Sequence, residues 1–155
     1  ILFAFYIIFT GLRVFRRSVA GIMDEADHEL AAKVIAQLEA ARRPPWIDVH
    51  NFRTITYGAV LHVDCHVTLP WYYTLAQAHQ EISAIERLVN GHDREVELFI
   101  HMDPCVPASC RICTVADCPE RQAPHERRVP WALETVLADA RHGVAEVAPV
   151  VEARS

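Results

Sequence analysis

Four cysteines lie close together in the second half of the chain, with the spacing C-x4-C-x2-C-x4-C. The central C-x-x-C pair is typical of a site that binds metal through thiolates, and four thiolates complete a tetrahedral shell. Such a shell would hold together a segment that has little apolar content of its own. The sequence therefore predicts one zinc-type ion at Cys105, Cys110, Cys113 and Cys118. An iron–sulfur cluster and free reduced thiols are the alternatives.

Histidine is frequent, with nine residues in a chain of 155. His50 lies within one predicted strand, His66 on the polar face of the next, and His101 and Asp103 alternate on a third. His79 lies beside the apolar stripe of a predicted helix. Imidazole and carboxylate are suitable ligands for zinc and similar divalent ions, and one carboxylate can serve two ions. Both a shared site for up to two ions and a set of solvated surface histidines are consistent with this spacing.

The elements that would position these side chains follow the order helix, strand, strand, helix, strand. Helical periodicity covers residues 24–42 and 74–90. The stretches "WIDVHNFRTITYG" and "AVLHVDCHVTL" read as an antiparallel hairpin, and "REVELFIHMD" reads as a third strand. Two helices can cover one face of such a sheet. We therefore expect an α+β fold, a ferredoxin-like αββαβ domain with two helices on a three-stranded sheet.

The same periodicity predicts which side chains are buried. In the two helices we expect the following apolar stripes: Leu30, Val34, Leu38 and Ala41, then Leu75, Ala78, Ile82, Ile85 and Val89. In the second and third strands we expect these core positions: Leu61, Val63, Cys65, Val67, Val96, Leu98 and Ile100. Trp46 and Trp71 are expected to close the core. His62 shares the polar face of its strand with His66 but is not expected to bind metal. The remaining histidines are expected at the surface: His28, His92, His125 and His142.

The chain opens with an apolar stretch, "ILFAFYIIFTGL", and then carries Arg13, Arg16 and Arg17. Basic residues at the end of an apolar helix usually mark the cytoplasmic side of a membrane. We therefore expect residues 1–20 to be the end of a transmembrane helix whose first part precedes this sequence. The alternative is a buried helix of a soluble protein.

Charge and composition argue against several classes of function. The net charge is −5 and the isoelectric point is about 6.0, so the chain lacks the basic surface of a nucleic-acid binder. Disulfides are not expected in a cytosolic domain. No nucleophile, base and substrate pocket can be assigned together, so we expect neither an enzyme nor a site for a small organic substrate.

Several short motifs resemble, in order, the cytoplasmic C-terminal domain of the cation diffusion facilitator family of metal transporters. The motifs are "WIDVHNFR", "HVDCHVTL", "AQAH" and "FIHMDPC". The preceding "GLRVFRRSVAGIMDEAD" is similar to the end of the family's sixth membrane helix. The resemblance covers about residues 1–105. It implies a homodimeric, multi-pass membrane parent that exports Zn²⁺ or related ions in exchange for protons, with this domain on the cytoplasmic side.

The resemblance also implies a site and a role. In the family, zinc binds at the dimer contact of this domain, and the ligands match His50, His66, His79, His101 and a bridging Asp103. The chain departs from the family by having Met102 between two ligand positions. It also lacks the earlier membrane helices that hold the transport site, so it could only sense metal, regulate and dimerise. A free-standing zinc-binding or buffering module and a zinc-ribbon nucleic-acid binder are the alternatives.

Four segments are expected on these grounds. Residues 1–20 end a transmembrane helix, and residues 21–104 form the cytoplasmic metal-binding dimerisation domain. Residues 105–128 form the four-cysteine tail, and residues 129–155 form a short helix and a frayed C-terminus.

Overall fold

The structure is a computed structural model that describes residues 2–22, 28–57, 60–90 and 96–143. The helices and strands are, in chain order: α1 (Leu2–Ile22), α2 (His28–Ala40), β1 (Asp48–Tyr57), β2 (Val60–Leu69), α3 (Leu75–Val89), β3 (Val96–Pro104) and α4 (Leu133–Val136). A 3-10 helix at Pro107–Arg111 follows β3. The expected order of elements is confirmed, although α2 ends at Ala40 rather than at residue 42.

The three strands form one sheet in the order β1-β2-β3. β1 and β2 are antiparallel, as the predicted hairpin requires, whereas β2 and β3 are parallel and joined through α3. A parallel pair needs a crossover connection, and α3 provides it. α2 and α3 pack their apolar residues against one face of the sheet. This arrangement confirms the ferredoxin-like α+β fold and leaves the opposite face for the histidines.

The predicted core is confirmed in most positions. Helical residues such as Val34, Leu38, Ile82, Ile85 and Val89 are buried, and so are the four predicted core residues of β2: Leu61, Val63, Cys65 and Val67. Trp46 is also buried, but three predictions were wrong. Ala41 is exposed because α2 has already ended. Trp71 lies between β2 and α3, and Leu75 is the first residue of α3. Both are exposed because they line an open groove beside Met102 instead of entering the core.

A β-bulge divides β1 at Asn51. His50 pairs with His66 and Arg53 pairs with Asp64, so two residues of β1 oppose one residue of β2. Asn51 has a positive φ of 51°, and its N–H donates to the carbonyl of Ala138 at 2.7 Å. Before the bulge, odd-numbered residues such as Val49 face the helices. After it, even-numbered residues such as Phe52 do so.

Residues 105–143, called the extension below, continue from β3 and return to the outer edge of β1. Arg42 is a principal anchor, because its buried guanidinium donates to the carbonyls of Ile47 at 2.6 Å and Val129 at 2.7 Å. The same guanidinium lies 4.0 Å above the ring of Trp131. Trp131 and Val136 are buried in the main core. The extension therefore packs as part of the domain and is not a loose tail.

The expected helix near the C-terminus is shorter than predicted. α4 covers only Leu133–Val136, and a turn follows at Leu137. Thr135 Oγ1 lies within hydrogen-bond distance of the carbonyls of Pro130 and Ala132, at the start of the helix. The predicted frayed end, residues 144–155, lies outside the described residues.

α1 is a helix of 21 residues whose apolar side chains, from Leu2 to Phe15, are exposed. Among the described residues, no helix combines the length and the apolarity that crossing a membrane requires. The assignment of residues 1–20 to the end of a transmembrane helix stays a prediction.

Candidate metal centre

Three histidines form a row across the sheet. His50 of β1 is the register partner of His66 of β2, and His66 is the partner of His101 of β3. The rings of His50 and His66 lie 5.1 Å apart between centroids, and those of His66 and His101 lie 4.6 Å apart. Because alternate residues of a strand share a face, Asp103 lies on the same face as this row, two residues beyond His101. The sheet register thus gathers side chains that are far apart in sequence.

All three imidazoles contact the carboxylate of Asp103. His50 Nε2 lies 3.3 Å and His66 Nδ1 3.2 Å from Asp103 Oδ2, whereas His101 Nδ1 lies 3.1 Å from Oδ1. One ligand atom each from His50, His66 and Asp103 lie within 4.8 Å of one another. The carboxylate therefore has imidazoles on both of its oxygens.

Solvent access increases along the row. The side chain of His50 is 3% exposed, that of His66 is 29% exposed and that of His101 is 65% exposed. His50 Nδ1 lies 3.5 Å from Asp48 Oδ2 and makes no hydrogen bond within the described structure. An unsatisfied polar atom is costly in a buried position. The row of histidines is therefore buried at His50 and open to solvent at His101.

Two residues of the extension reach this site, and the sequence analysis missed both. Arg141 Nη2 lies 3.0 Å from Asp103 Oδ1, and Arg141 Nη1 donates to the carbonyl of Pro104 at 3.0 Å. His142 Nδ1 lies 2.6 Å from Asp48 Oδ1, and its backbone N–H donates to Asp48 Oδ2 at 2.9 Å. The prediction that His142 is a solvated surface residue was therefore wrong. Its segment lacks periodicity, so only the alternation of Asp48 with His50 could have indicated a second carboxylate near the site.

These contacts alter the ionisation of both carboxylates. Burial raises the pKa of Asp48, but hydrogen bonds to His142 outweigh it, so the pKa lies below its ordinary value. Burial likewise raises the pKa of Asp103, but the hydrogen bond to His66 and the charge of Arg141 outweigh it and lower that pKa. The hydrogen bond to Asp48 raises the pKa of His142, against the opposing effect of burial. Both carboxylates are therefore anionic at neutral pH.

Two other histidines lie outside this group. His79 is exposed on α3 and is not part of the group that gathers around Asp103. His62 lies on the same strand as His66, but its Nδ1 pairs with Glu97 Oε2 at 2.8 Å. Of the five predicted ligands, the structure brings together His50, His66, His101 and Asp103 within one chain.

The four cysteines of the extension line one cavity, together with residues that include Trp71, Tyr72 and Arg121. Cys110 and Cys113 are buried, whereas Cys105 and Cys118 are partly exposed. Burial raises the pKa of Cys105 and of Cys113. Cys65 lies apart from them in the core, as predicted, and burial raises its pKa to about 12. All five cysteines are free thiols.

The donor set at Asp103 fits a divalent metal ion. Neutral imidazole nitrogen and anionic carboxylate oxygen are common ligands of zinc and of similar transition metals. His50 Nδ1 makes no hydrogen bond within the described structure and lies beside Asp48. The carboxylate of Asp48 could therefore orient the imidazole of His50 toward a metal ion. These residues can hold a metal ion, and nothing in the donor types selects one ion of the zinc group over another.

Comparison with known proteins identifies the family. The model of a family described as "Cation efflux protein, cytoplasmic domain" matches residues 25–105 of this chain. Among solved structures, a similar chain is the MamB CTD magnetosome protein of Desulfamplus magnetovallimortis BW-1, with 15% identity and a TM-score of 0.45. That alignment covers 50% of this chain and 95% of the other. A search among curated proteins gave no match. The family match covers more than half of the chain, including the whole sheet, and the chain therefore belongs to the cation efflux protein family through its cytoplasmic domain.

Proposed function

We propose that residues 28–104 form a metal-sensing dimerisation domain that regulates proton-coupled export of divalent cations, and that zinc is the ion it senses. The observation that carries this proposal is the convergence of three imidazoles, one from each strand, on the carboxylate of Asp103. Family membership supports the transport context. The transport site itself would lie outside this domain, so the role proposed for the domain is regulatory.

The carboxylate of Asp103 is suited to bridging two ions. Its Oδ2 atom faces His50 and His66, whereas its Oδ1 atom faces His101. One ion would therefore use the buried pair of imidazoles, and a second would use the exposed imidazole. Up to two ions per chain follow, with solvent or further protein ligands completing each tetrahedral shell.

A second copy of the chain is the proposed source of the missing ligands at the exposed end. His101 is 65% exposed, so an ion bound there would find too few protein ligands within one chain. His79 is exposed on α3, so it is available to an ion held by another copy. The groove beside Asp103 also presents Trp71, Leu75 and Met102, whose apolar surface would be covered by such a contact.

Metal would act by binding the assembled form more tightly than the open one. A ligand at a hundred times its dissociation constant stabilises the form that it binds by about 2.7 kcal/mol. This is enough to shift a two-state equilibrium roughly a hundredfold. Rising metal in the cytoplasm would then change the arrangement of the membrane part through its paired domains.

The test compares the 155-residue chain with two variants by sedimentation velocity and metal analysis, with and without Zn²⁺. Asp103→Asn removes the bridging charge with little change of shape. Asp64→Asn is the matched control, because Asp64 lies on the same sheet face but is exposed and outside the group. We expect zinc to promote dimers of the wild type and of the control but not of Asp103→Asn, which should lose up to two ions. Zinc-dependent dimers and unchanged metal content in Asp103→Asn would overturn the proposal.

A further inference from the structure

A small cavity in the extension brings together four thiols that are spread over fourteen positions of the chain, from Cys105 to Cys118. Cys110 lies within the 3-10 helix Pro107–Arg111, and Cys113 lies two residues after the end of that helix. This cavity lies outside the group at Asp103 and does not take part in the function proposed above.

Two of the sulfurs accept backbone hydrogen bonds. The N–H of Trp71 donates to Cys105 Sγ at 3.4 Å, and the N–H of Gln122 donates to Cys110 Sγ at 3.4 Å. Backbone donors of this kind stabilise negative charge on sulfur, and a metal-bound thiolate carries such charge. A neutral thiol gains little from the same arrangement.

Polar groups also lie near the other two sulfurs. The backbone of Val115, two residues further along, lies near Cys113. The side chain of Tyr72 lies near Cys118. Each of the four thiols therefore has a polar group nearby, and these groups come from three separate places in the chain, because Trp71 and Tyr72 are adjacent. Polar surroundings of this kind suit a thiolate metal centre.

Arg121 supplies positive charge at the same place. Its guanidinium donates to the carbonyls of Cys110 at 3.2 Å and of Cys113 at 3.3 Å, and to that of Val115. It also lines the cavity itself. Four thiolates around a divalent ion carry a net charge of −2, and a fixed guanidinium beside them would offset part of that charge.

Residues 105–128 have few other contacts that would hold them together. The buried apolar cluster beneath this segment comprises only Ile47, Ile112 and Cys113, with partly buried residues around them. The segment has no disulfide and, apart from the 3-10 helix, no regular structure. A small segment with so few buried apolar residues usually needs a cross-link or a metal ion to stay folded.

We propose that Cys105, Cys110, Cys113 and Cys118 form a second, closed metal centre that binds one zinc-type divalent ion and holds residues 105–128 in their folded form. On binding, each thiol would release its proton to solvent and donate a sulfur lone pair to the ion, without any redox change. Of the described residues, only His50, His66 and Asp103 bring three ligand atoms within 4.8 Å of one another. The ion would therefore draw the sulfurs inward.

The test uses the untagged 155-residue chain, purified under reducing conditions and loaded with Zn²⁺ or Co²⁺. Tetrahedral Co²⁺ with four thiolates gives intense visible bands and sulfur-to-metal charge transfer in the near ultraviolet. We expect these bands in the wild type and in Asp103→Asn, and their loss in Cys110→Ser and Cys113→Ser. Cys65→Ala is the control, because Cys65 is a free thiol of the core outside the cavity. Zinc analysis should give one ion that Asp103→Asn retains and Cys110→Ser loses.

A second measurement needs no substitution and so does not depend on how the cysteine variants fold. In the zinc-loaded wild type, four thiols should react slowly with a chromogenic disulfide reagent and should become reactive when a chelator removes the metal. Thiol reactivity that a chelator leaves unchanged would overturn the proposal. So would a Co²⁺ spectrum without thiolate bands, or purified protein that contains iron with inorganic sulfide. Because Asp103→Asn separates the two centres, failure here is distinguishable from failure of the sensing function.

Discussion

The guanidinium of Arg141 lies 3.0 Å from Asp103 Oδ1, on the same oxygen that His101 approaches to 3.1 Å. The chain thus carries its own cation at a position that an incoming metal ion would use. Arg141 is also tied by its second nitrogen to the carbonyl of Pro104. A metal ion that binds Oδ1 must therefore displace this guanidinium or share the carboxylate with it.

Replacing Arg141 should strengthen metal binding. In Arg141→Gln the competing charge is lost while a polar side chain of similar length remains. We expect the dissociation constant for Zn²⁺ at the Asp103 group to fall about tenfold, which corresponds to ~1.4 kcal/mol. Competition with a chromophoric chelator measures this constant. Arg53→Gln is the control, because Arg53 contacts the extension through an exposed pair with Asp139. Equal or weaker affinity in Arg141→Gln would contradict the competition.

Stability should depend on pH through His142 and Asp48. The pKa of His142 is raised from 6.5, so its contribution is complete below that pH and is lost as pH rises through the folded pKa. The pKa of Asp48 is lowered from 3.8, so its contribution is present above that pH and is lost as pH falls further. The pair should therefore stabilise the domain most between about pH 4 and pH 6.5.

Urea denaturation of metal-free wild type and His142→Ala checks this dependence. We expect the difference in unfolding free energy between the two proteins to shrink as pH rises from about 6 to 9. His50 and Arg42 also face this pair, and they are present in both proteins, so the difference isolates His142. A difference that stays constant over this range would exclude a charged pair.

Arg42 should be important for holding the extension against the sheet. Arg42→Met keeps the apolar stem but leaves the carbonyls of Ile47 and Val129 without this donor and removes the cation above Trp131. We expect a loss of roughly 2–4 kcal/mol in unfolding free energy. Arg43→Met is the matched control, since Arg43 is exposed, pairs with Glu81 at 3.4 Å and lies over the ring of Trp46 at 5.4 Å. Its effect should stay below about 1 kcal/mol. Equal losses in the two variants would refute this role of Arg42.

The positive φ of Asn51 leads to a prediction about the bulge. A β-branched residue is strained in the left-handed region, whereas glycine is not. Asn51→Val should destabilise the domain by about 1–3 kcal/mol, and Asn51→Gly should have a much smaller effect. Thermal unfolding of the two variants measures the difference. If valine is tolerated as well as glycine, the backbone at this position is not strained.

Most of the fold could be predicted because its signals are local. The alternation of β2 from Leu61 to Val67 and the apolar stripes of α2 and α3 follow from the periods of strand and helix. The same reasoning failed for Leu75, because the period of a helix does not say where the sheet beneath it ends. Trp71 was placed in the core because it flanks a strand, and that position alone does not determine burial. Exposure at the end of an element depends on tertiary packing and not on pattern.

The candidate site could be predicted only in part. His66, His101 and Asp103 are placed on one face by alternation, but their contact with His50 depends on the register between strands, which no local pattern determines. Arg141 and His142 were missed because the extension has no period, and its path follows from contacts such as those of Arg42. Nor could the sequence show that His79 would lie apart from the other predicted ligands.

The extra residue in β1 has a consequence for comparing this chain with others of the same architecture. Before Asn51 the imidazole of His50 lies on the face of Asp103, and after it the ring of Phe52 lies on the face of the helices, although both positions are even-numbered. A homologue that lacks the extra residue of the bulge could keep only one of these two side chains on its present face. The gap in an alignment of β1 should therefore fall at Asn51. An insertion or deletion elsewhere in the strand would move the side chains of one part of β1 to the opposite face of the sheet.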